Sequence, residues 1–523
     1  MRMALRRIDP LAAAVAVLAL ALRVPLVMAA LPGDGNSDEP LNISVGLRMA
    51  SDGMLNAHTY RYPGLLYEVI AGVTTAFRAV GIHVPAHGAM RIENLGVAHT
   101  DARAFIVAVR FVGVFAAVAT CLLVWAAVRE VLKAAELPER WGRIAAAVAA
   151  ATVAVSPLAA ANSVYATPDV YVGLAVALTL YGATRVLRDA RYGDLLCGLG
   201  VGIALGAKYA AVAALPVVVA YVLSPRRDKP VIRIAQAAAV AAAVFALTTP
   251  GILTDPLSVL DGVRSEAVHY QDGHVGAQGG APGYYLGALF RDQPLPLAAV
   301  AVALVALFRA TELIRRTLII VFAYVIPQFL LLAVMTVRFD RNLVPLTPAL
   351  AVLAGVAVPA VVSAVVPAVV PAAAPWTRRR VVGAAAGAAA GAVAVAAAFL
   401  PLASAVRLYP RLDEHSRVQA AAWVAAHVPG HAPVAVESYG PWLDPARYHL
   451  VPLTFATDRP GVRARALILT EHAAGRFLAD PAHHPGEAAA YRAIMSRYRL
   501  AARFTAGSWI DVYVPRETPV SRG

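Results

Sequence analysis

Apolar residues run along this chain in blocks of about 20, the length that crosses a hydrocarbon core, with short basic stretches between them. The pattern predicts a mainly α, polytopic helical bundle of about 11 spans. They lie near 11–31, 102–128, 142–162, 168–186, 231–251, 294–309, 317–337, 343–366 and 381–406, and two short helices share 195–223. The first block imitates a signal peptide, but its length favours an uncleaved helix. Arg2, Arg6 and Arg7 place the N-terminus in the cytoplasm by the positive-inside rule. Arg129, Lys133, Arg140 and Arg143 then mark the next cytoplasmic loop. Arg185, Arg188 and Arg191 mark another, as do Arg226, Arg227, Lys229 and Arg233. Arg309, Arg315 and Arg316 follow, and then the run Arg378, Arg379 and Arg380.

Two segments resist simple threading. As a full span, 62–82 would invert every later loop and would carry Glu68 and Arg78. It reads instead as a helix on or dipping into the outer interface. The block 195–223 is too long for one span and has Lys208 at its middle. A charge at the bilayer centre costs at least about 2.5–3.5 kcal/mol, so a hairpin with Lys208 at the outer turn is expected. External loops then cover about 32–101 and 252–293.

Beyond about residue 406 long apolar runs stop and charges rise. The membrane domain is thus 1–406, and 407–523 is a small extracytoplasmic α/β domain. Segments 416–427 and 486–498 read as helices; VAVES, YHLVPLTF, RALILT and WIDVYV read as strands.

Composition supports this class. The chain is 59% hydrophobic and 15% charged, which suits an integral membrane protein. The net charge of +14 comes mainly from short runs between spans, so no nucleic-acid partner is expected. Cys121 and Cys197 both fall in apolar segments, which argues against a disulfide framework.

The unusual polar residues gather on the outer side of this threading. They are Asp34, Asp38, Glu39, His58, Tyr60, Arg61, Tyr62, Asp169, Lys208, Tyr209, Arg338, Asp340 and Arg341. Any one could be a headgroup anchor. Together, acids and cations at one face suit a substrate carrying a phosphate and a hydroxyl. Asp169 reads equally as an acid of this site or as a helix N-cap. His58, Tyr60 and Tyr62 could line a sugar pocket or form an interfacial belt. His269 and His274 lie in a Gly-rich stretch, either a flap or a connector, without a third zinc ligand.

Arg23 in the first helix, then NSDEPLN, YRYPGLLYEVIAG, ATPDVYVGLAVAL, GLGVGIALGAKYAAVAALPVVVAYV and RFDRNLVPLTPALAVLAG, resemble segments of the GT-C glycosyltransferases over about residues 10–360. The likeness is to bacterial members akin to protein O-mannosyltransferases and the aminoarabinose transferase of lipid A. It implies a bacterial plasma-membrane enzyme that takes a sugar from a polyprenyl-phosphate donor. The acceptor would be a hydroxyl on a glycan, lipid or protein. The resemblance puts the catalytic carboxylate at Asp38, in the first external loop. A carboxylate there can take the acceptor proton, and inversion needs one base and no covalent intermediate. Glu39, its neighbour, is the second catalytic candidate: it is the alternative base, or it would orient the acceptor or bind metal. Lys208, Arg338 and Arg341 would hold the donor phosphate. His58, Tyr60, Arg61, Tyr62, Asp169 and Tyr209 would line the acceptor or sugar pocket. Some GT-C enzymes need a divalent ion, so Mg or Mn between Asp38 and Asp169 stays open. RYPGLL departs from the usual double-proline form, and the C-terminal domain matches no named family.

A transporter or flippase would place its charges near the midplane on broken helices. A non-catalytic envelope assembly protein would not depend on Asp38. The one-faced cluster favours the enzyme.

Overall fold

A computed structural model describes residues 9–29, 36, 38–53, 55–82, 84, 100–225, 230–273, 280–369, 402–406, 416–441, 443–506 and 508–516. Asp34, His274, most of the last apolar block and the basic groups Arg2–Arg7, Arg226–Lys229 and Arg378–Arg380 lie outside those residues.

The bundle is built from α1 (Pro10–Ala29), α4 (Thr100–Ala134), α5 (Glu139–Val155), α7 (Asp169–Leu187), α8 (Gly193–Lys208), α9 (Leu215–Leu223), α10 (Pro230–Thr248), α14 (Pro294–Arg309), α15 (Glu312–Val334) and α16 (Leu346–Val369). Among the described residues, six helices are long and apolar enough to cross a membrane, or up to seven if α14 is joined to the helix before it. Between α1 and α4 lie α2 (Asp38–Asp52) and α3 (Leu65–Ala79), the latter within the segment 62–82.

Two readings need correction. The block 142–162 is broken at Ser156 into α5 and α6 (Pro157–Asn162). Ser156 Oγ accepts from the Ala159 amide at 3.0 Å, and Pro157 starts the new helix. The loop 252–293 is largely helical: α11 (Gly251–Thr254), α12 (Pro256–Asp272) and α13 (Ala281–Asp292). Asp255 caps α12 and a proline opens both α12 and α13. α13 meets α14 at a 106° bend.

Glycines let α8 sit deep between its neighbours. A Cβ at Gly198 or Gly202 would lie 2.6 Å from Val240 or Val244 of α10, and one at Gly200 would strike Thr179 of α7. α8 ends where Tyr209 turns left-handed, φ +50°. The Tyr209 and Ala210 amides return to the Leu205 and Ala204 carbonyls at 3.0 and 3.2 Å. Lys208 is therefore fixed in the last turn of α8, where the block 195–223 breaks into two short helices.

Helix directions place the starts of α7 and α16 and the end of α8 at one end of the bundle, the site end. The opposite end is tied by ion pairs. Glu130 meets Arg185 and Arg188 at 3.1 and 2.8 Å, Asp9 meets Arg143 at 2.8 Å, and Asp194 meets Arg233 at 2.9 Å. Deep in the bundle, buried Arg23 donates to Ala154 O and Ser163 Oγ, both at 2.9 Å, covering the carbonyl end of α5.

The C-terminal region forms a five-stranded sheet with order β2-β1-β3-β5-β4, flanked by α17 (Ser416–His427) and α18 (Pro485–Met495). The strands are β1 (Pro433–Glu437), β2 (His449–Leu453), β3 (Ala466–Thr470), β4 (Tyr498–Phe504) and β5 (Ile510–Pro515). β1 pairs parallel with β2 and β3, while β5 pairs antiparallel with β3 and β4. The sequence reading missed β4, an edge strand with exposed Arg499, Leu500 and Arg503 and a bulge between Leu500 and Ala502. Such an edge lacks clean alternation.

Glu437 at the end of β1 knots this domain. It is buried, and accepts from the Ala456 and Thr470 amides at 2.9 and 3.0 Å and from Tyr491 Oη at 2.5 Å. Burial pushes its carboxyl up to about 7 from the ordinary 4.5. The folded state thus holds a proton that the unfolded state releases. That stability is full below about pH 4.5 and is lost as pH rises through about 7. Hydrogen exchange at β1 and β3, corrected for intrinsic rates, should accelerate across this window in the full chain. Glu437→Gln should flatten that dependence, and an unchanged slope would contradict the assignment.

Candidate active site

α2 is held at the site end by its inward face. Glu39, 3% exposed, accepts from Arg110 Nε and a terminal nitrogen at 2.8 and 2.6 Å, a bidentate fork from α4. Glu39 also accepts from the Ala166 amide at 2.9 Å, while Asn42 Nδ2 donates to the Ala166 carbonyl at 2.9 Å. Glu39 and Asn42 are three apart, so both face the bundle and grip the residue before α7 from two sides. Arg110 further donates to Val27 O at 3.3 Å and lies 5.3 Å over the Tyr165 ring.

Asp38 is the adjacent residue and projects elsewhere, because neighbours on a helix are about 100° apart. Its Oδ2 lies 3.0 Å from an Arg341 terminal nitrogen and accepts from Tyr62 Oη at 3.3 Å. The Asp38 side chain keeps 29% of its surface exposed. Arg341 sits in the short turn Asp340–Leu343 just before α16 and lies 4.5 Å over the Phe339 ring. Its buried Nε has no hydrogen-bond partner among the described residues.

Beside this pair is a second one. Lys208 Nζ donates to Asp169 Oδ1 at 2.7 Å and to Asn342 Oδ1 at 3.2 Å. Asp169 is the first residue of α7 and makes no side-chain cap, because Pro168 takes the N-cap position. The N-cap reading of Asp169 therefore gives way to an ion pair. Tyr62 lies in the field of Asp38, Lys208, Arg341 and Asp169 together. Burial, then the Asp38 charge, pushes the Tyr62 hydroxyl well above the ordinary range, so it acts here as a neutral donor.

The expected residues thus divide. Asp38, Tyr62, Asp169, Lys208 and Arg341 come together. Arg338 lies 5.0 Å over the Tyr284 ring, without a carboxylate partner among the described residues. Arg61 is half exposed, 4.0 Å from Glu266. The expected roles of Glu39, Tyr60, Tyr209 and His58 do not fit their placement. Glu39 is a buried clamp whose oxygens already accept from Arg110 and Ala166. Tyr60 is buried against Val259 and packs where a Cβ at Gly251 or Gly262 would collide with it. Tyr209 donates to the Tyr60 carbonyl at 3.0 Å, and His58 is exposed with a left-handed backbone, φ 51°. His269 lies on α12 near Glu266, and burial lowers its affinity for a proton.

The residues do not form a ready site for Mg or Mn. Asp38 and Asp169 each face a cation, and the described residues contain no group of three or more His, Cys, Asp or Glu suited to a metal.

Sequence reasoning overlooked Arg110, Asn342 and Tyr270. The first had a signal: an arginine inside an apolar span needs a buried partner.

Glu39→Ala should lower the melting temperature sharply, by about 3–5 kcal/mol of stability, because it strands a buried guanidinium. Asp38→Ala should leave melting near wild type. Detergent-solubilised thermal denaturation separates the two, and equal melting of both variants would contradict the division of roles.

Residues 103–252 match the family model described as dolichyl-phosphate-mannose-protein mannosyltransferase. No curated protein matches the chain. Among solved structures, ArnT from Cupriavidus metallidurans bound to undecaprenyl phosphate is similar, with TM-score 0.52 and 18% identity over 95% of this chain and 97% of that one. The apo oligosaccharyltransferase of Archaeoglobus fulgidus gives TM-score 0.52 at 12% identity, over 97% of this chain and 74% of that one. The same organism's AglB, in complex with an inhibitory peptide and a dolichol-phosphate, gives TM-score 0.50 at 12% identity, over 98% and 74%. The chain has the fold of these membrane proteins, ArnT and the archaeal oligosaccharyltransferase.

Proposed function

We propose that the chain is an inverting glycosyltransferase that moves a sugar from a polyprenyl-phosphate donor to a hydroxyl of an envelope glycan, lipid or protein. The observation that carries this reading is Asp38, partly exposed and bonded to Arg341, with the Lys208–Asp169 pair alongside. Relatives of this fold that bind undecaprenyl phosphate and dolichol-phosphate support the lipid carrier. The basic residues at the opposite end of the bundle support a bacterial plasma-membrane orientation with the site and the C-terminal domain outside.

In the reaction the acceptor oxygen bonds to the anomeric carbon as the carbon–phosphate-oxygen bond breaks. Asp38 takes the acceptor proton, and the polyprenyl phosphate departs with one more negative charge. Arg341 touches the base and has donors left over, so it can meet that charge; Arg338 and Lys208 supply further cations. Their contribution to rate is the extra attraction gained as charge develops on the leaving oxygen. Tyr62 holds the carboxylate in place without competing as an acid.

Purified protein in membranes, given radiolabelled polyprenyl-phosphate sugars and a crude envelope fraction, should transfer label from one donor class. Asp38→Asn should lower kcat about 10²- to 10⁴-fold while donor binding changes little. Equal turnover in both proteins would remove Asp38 as base and point to Asp169.

A further inference from the structure

Asn342 is 5% exposed and sits where four parts of the chain converge. Its Oδ1 accepts from Lys208 Nζ of α8 at 3.2 Å and from Tyr270 Oη of α12 at 3.1 Å. Its Nδ2 donates to Tyr285 Oη of α13 at 3.2 Å. Tyr285 Oη accepts again from the Phe339 amide at 3.2 Å and donates to the Val337 carbonyl at 3.4 Å. The Thr336 amide donates to the Tyr270 carbonyl at 3.1 Å, closing the segment before α16 onto the end of α12.

The polarity of this network is fixed by chemistry. An ammonium only donates, so the atom facing Lys208 must be the amide oxygen, and the nitrogen must face Tyr285. Lys208 has three N–H bonds. Asp169 takes one and Asn342 a second, which leaves one for a ligand. A lysine held by Asp169 alone would rotate freely on its long stem. Asn342 adds the second point that fixes where the remaining N–H is directed. Through Tyr270 it also ties that direction to the end of α12.

We propose that Asn342 is the positioning residue of the donor-phosphate site, aiming the Lys208 ammonium at a phosphate oxygen and coupling it to α12 through Tyr270. This rests on the functional reading above. It adds a residue that contacts no reacting atom.

The test is binding of undecaprenyl phosphate to the full chain in nanodiscs, with melting measured in parallel. Asn342→Ala should weaken binding about tenfold, the scale of one hydrogen bond to a charged group. Tyr270→Phe, which removes one hydroxyl, should weaken it in the same direction by less. In a Lys208→Ala background, Asn342→Ala should cause little further loss, because the group it aims is gone. Asn342→Asp keeps the shape but adds a negative charge, and should weaken binding at least as much as alanine. Unchanged binding in Asn342→Ala, or full additivity with Lys208→Ala, would overturn the inference while leaving the functional reading standing. A wild-type protein that binds no undecaprenyl phosphate would overturn both.

Discussion

The buried ion pair between Glu39 and Arg110 is the interaction on which the site depends. Both groups are almost fully withdrawn from solvent, and their pairing is bidentate at 2.6 and 2.8 Å. With Asn42 it fixes the rotation of α2 against the start of α7. That rotation sends Asp38 the other way, toward Tyr62 and Arg341. A buried pair of this kind contributes little net stability compared with apolar packing, but breaking it is costly. Its role here is orientation: two adjacent carboxylates are assigned different tasks by one helix.

The same logic recurs around the site. Three carboxylate–cation pairs gather at this end: Asp38 with Arg341, Asp169 with Lys208, Glu39 with Arg110. Matching keeps ionised groups tolerable at the edge of an apolar bundle. The first two pairs differ from the third in access. Asp38 and Lys208 keep some exposure, and each pair retains donor capacity beyond its partner. The glycines of α8 and the left-handed turn at Tyr209 deliver Lys208 to this place. The turn before α16 delivers Arg341 and Asn342 together.

Much of this was legible in the sequence, and for a physical reason. Charged residues that interrupt apolar blocks are conspicuous, so Asp38, Asp169, Lys208 and Arg341 stood out, and basic runs ordered the helices. What was not legible depends on facing. Pattern cannot tell that Tyr62 points to Asp38 while Tyr60 points into packing, nor that Glu39 turns inward. Asn342 and Tyr270 carry no charge and so gave no signal. The short helices of 251–292 are written in capping residues and prolines rather than in a long period. β4 was hidden by its charged edge.

In the proposed reaction one carboxylate, Asp38, acts as base in a single displacement at the anomeric carbon. The most direct measurement is the anomeric configuration of the product, read by NMR, against that of the polyprenyl-phosphate donor it came from. Inversion is expected. Retention would contradict it, since a single displacement assisted by one base inverts the anomeric carbon.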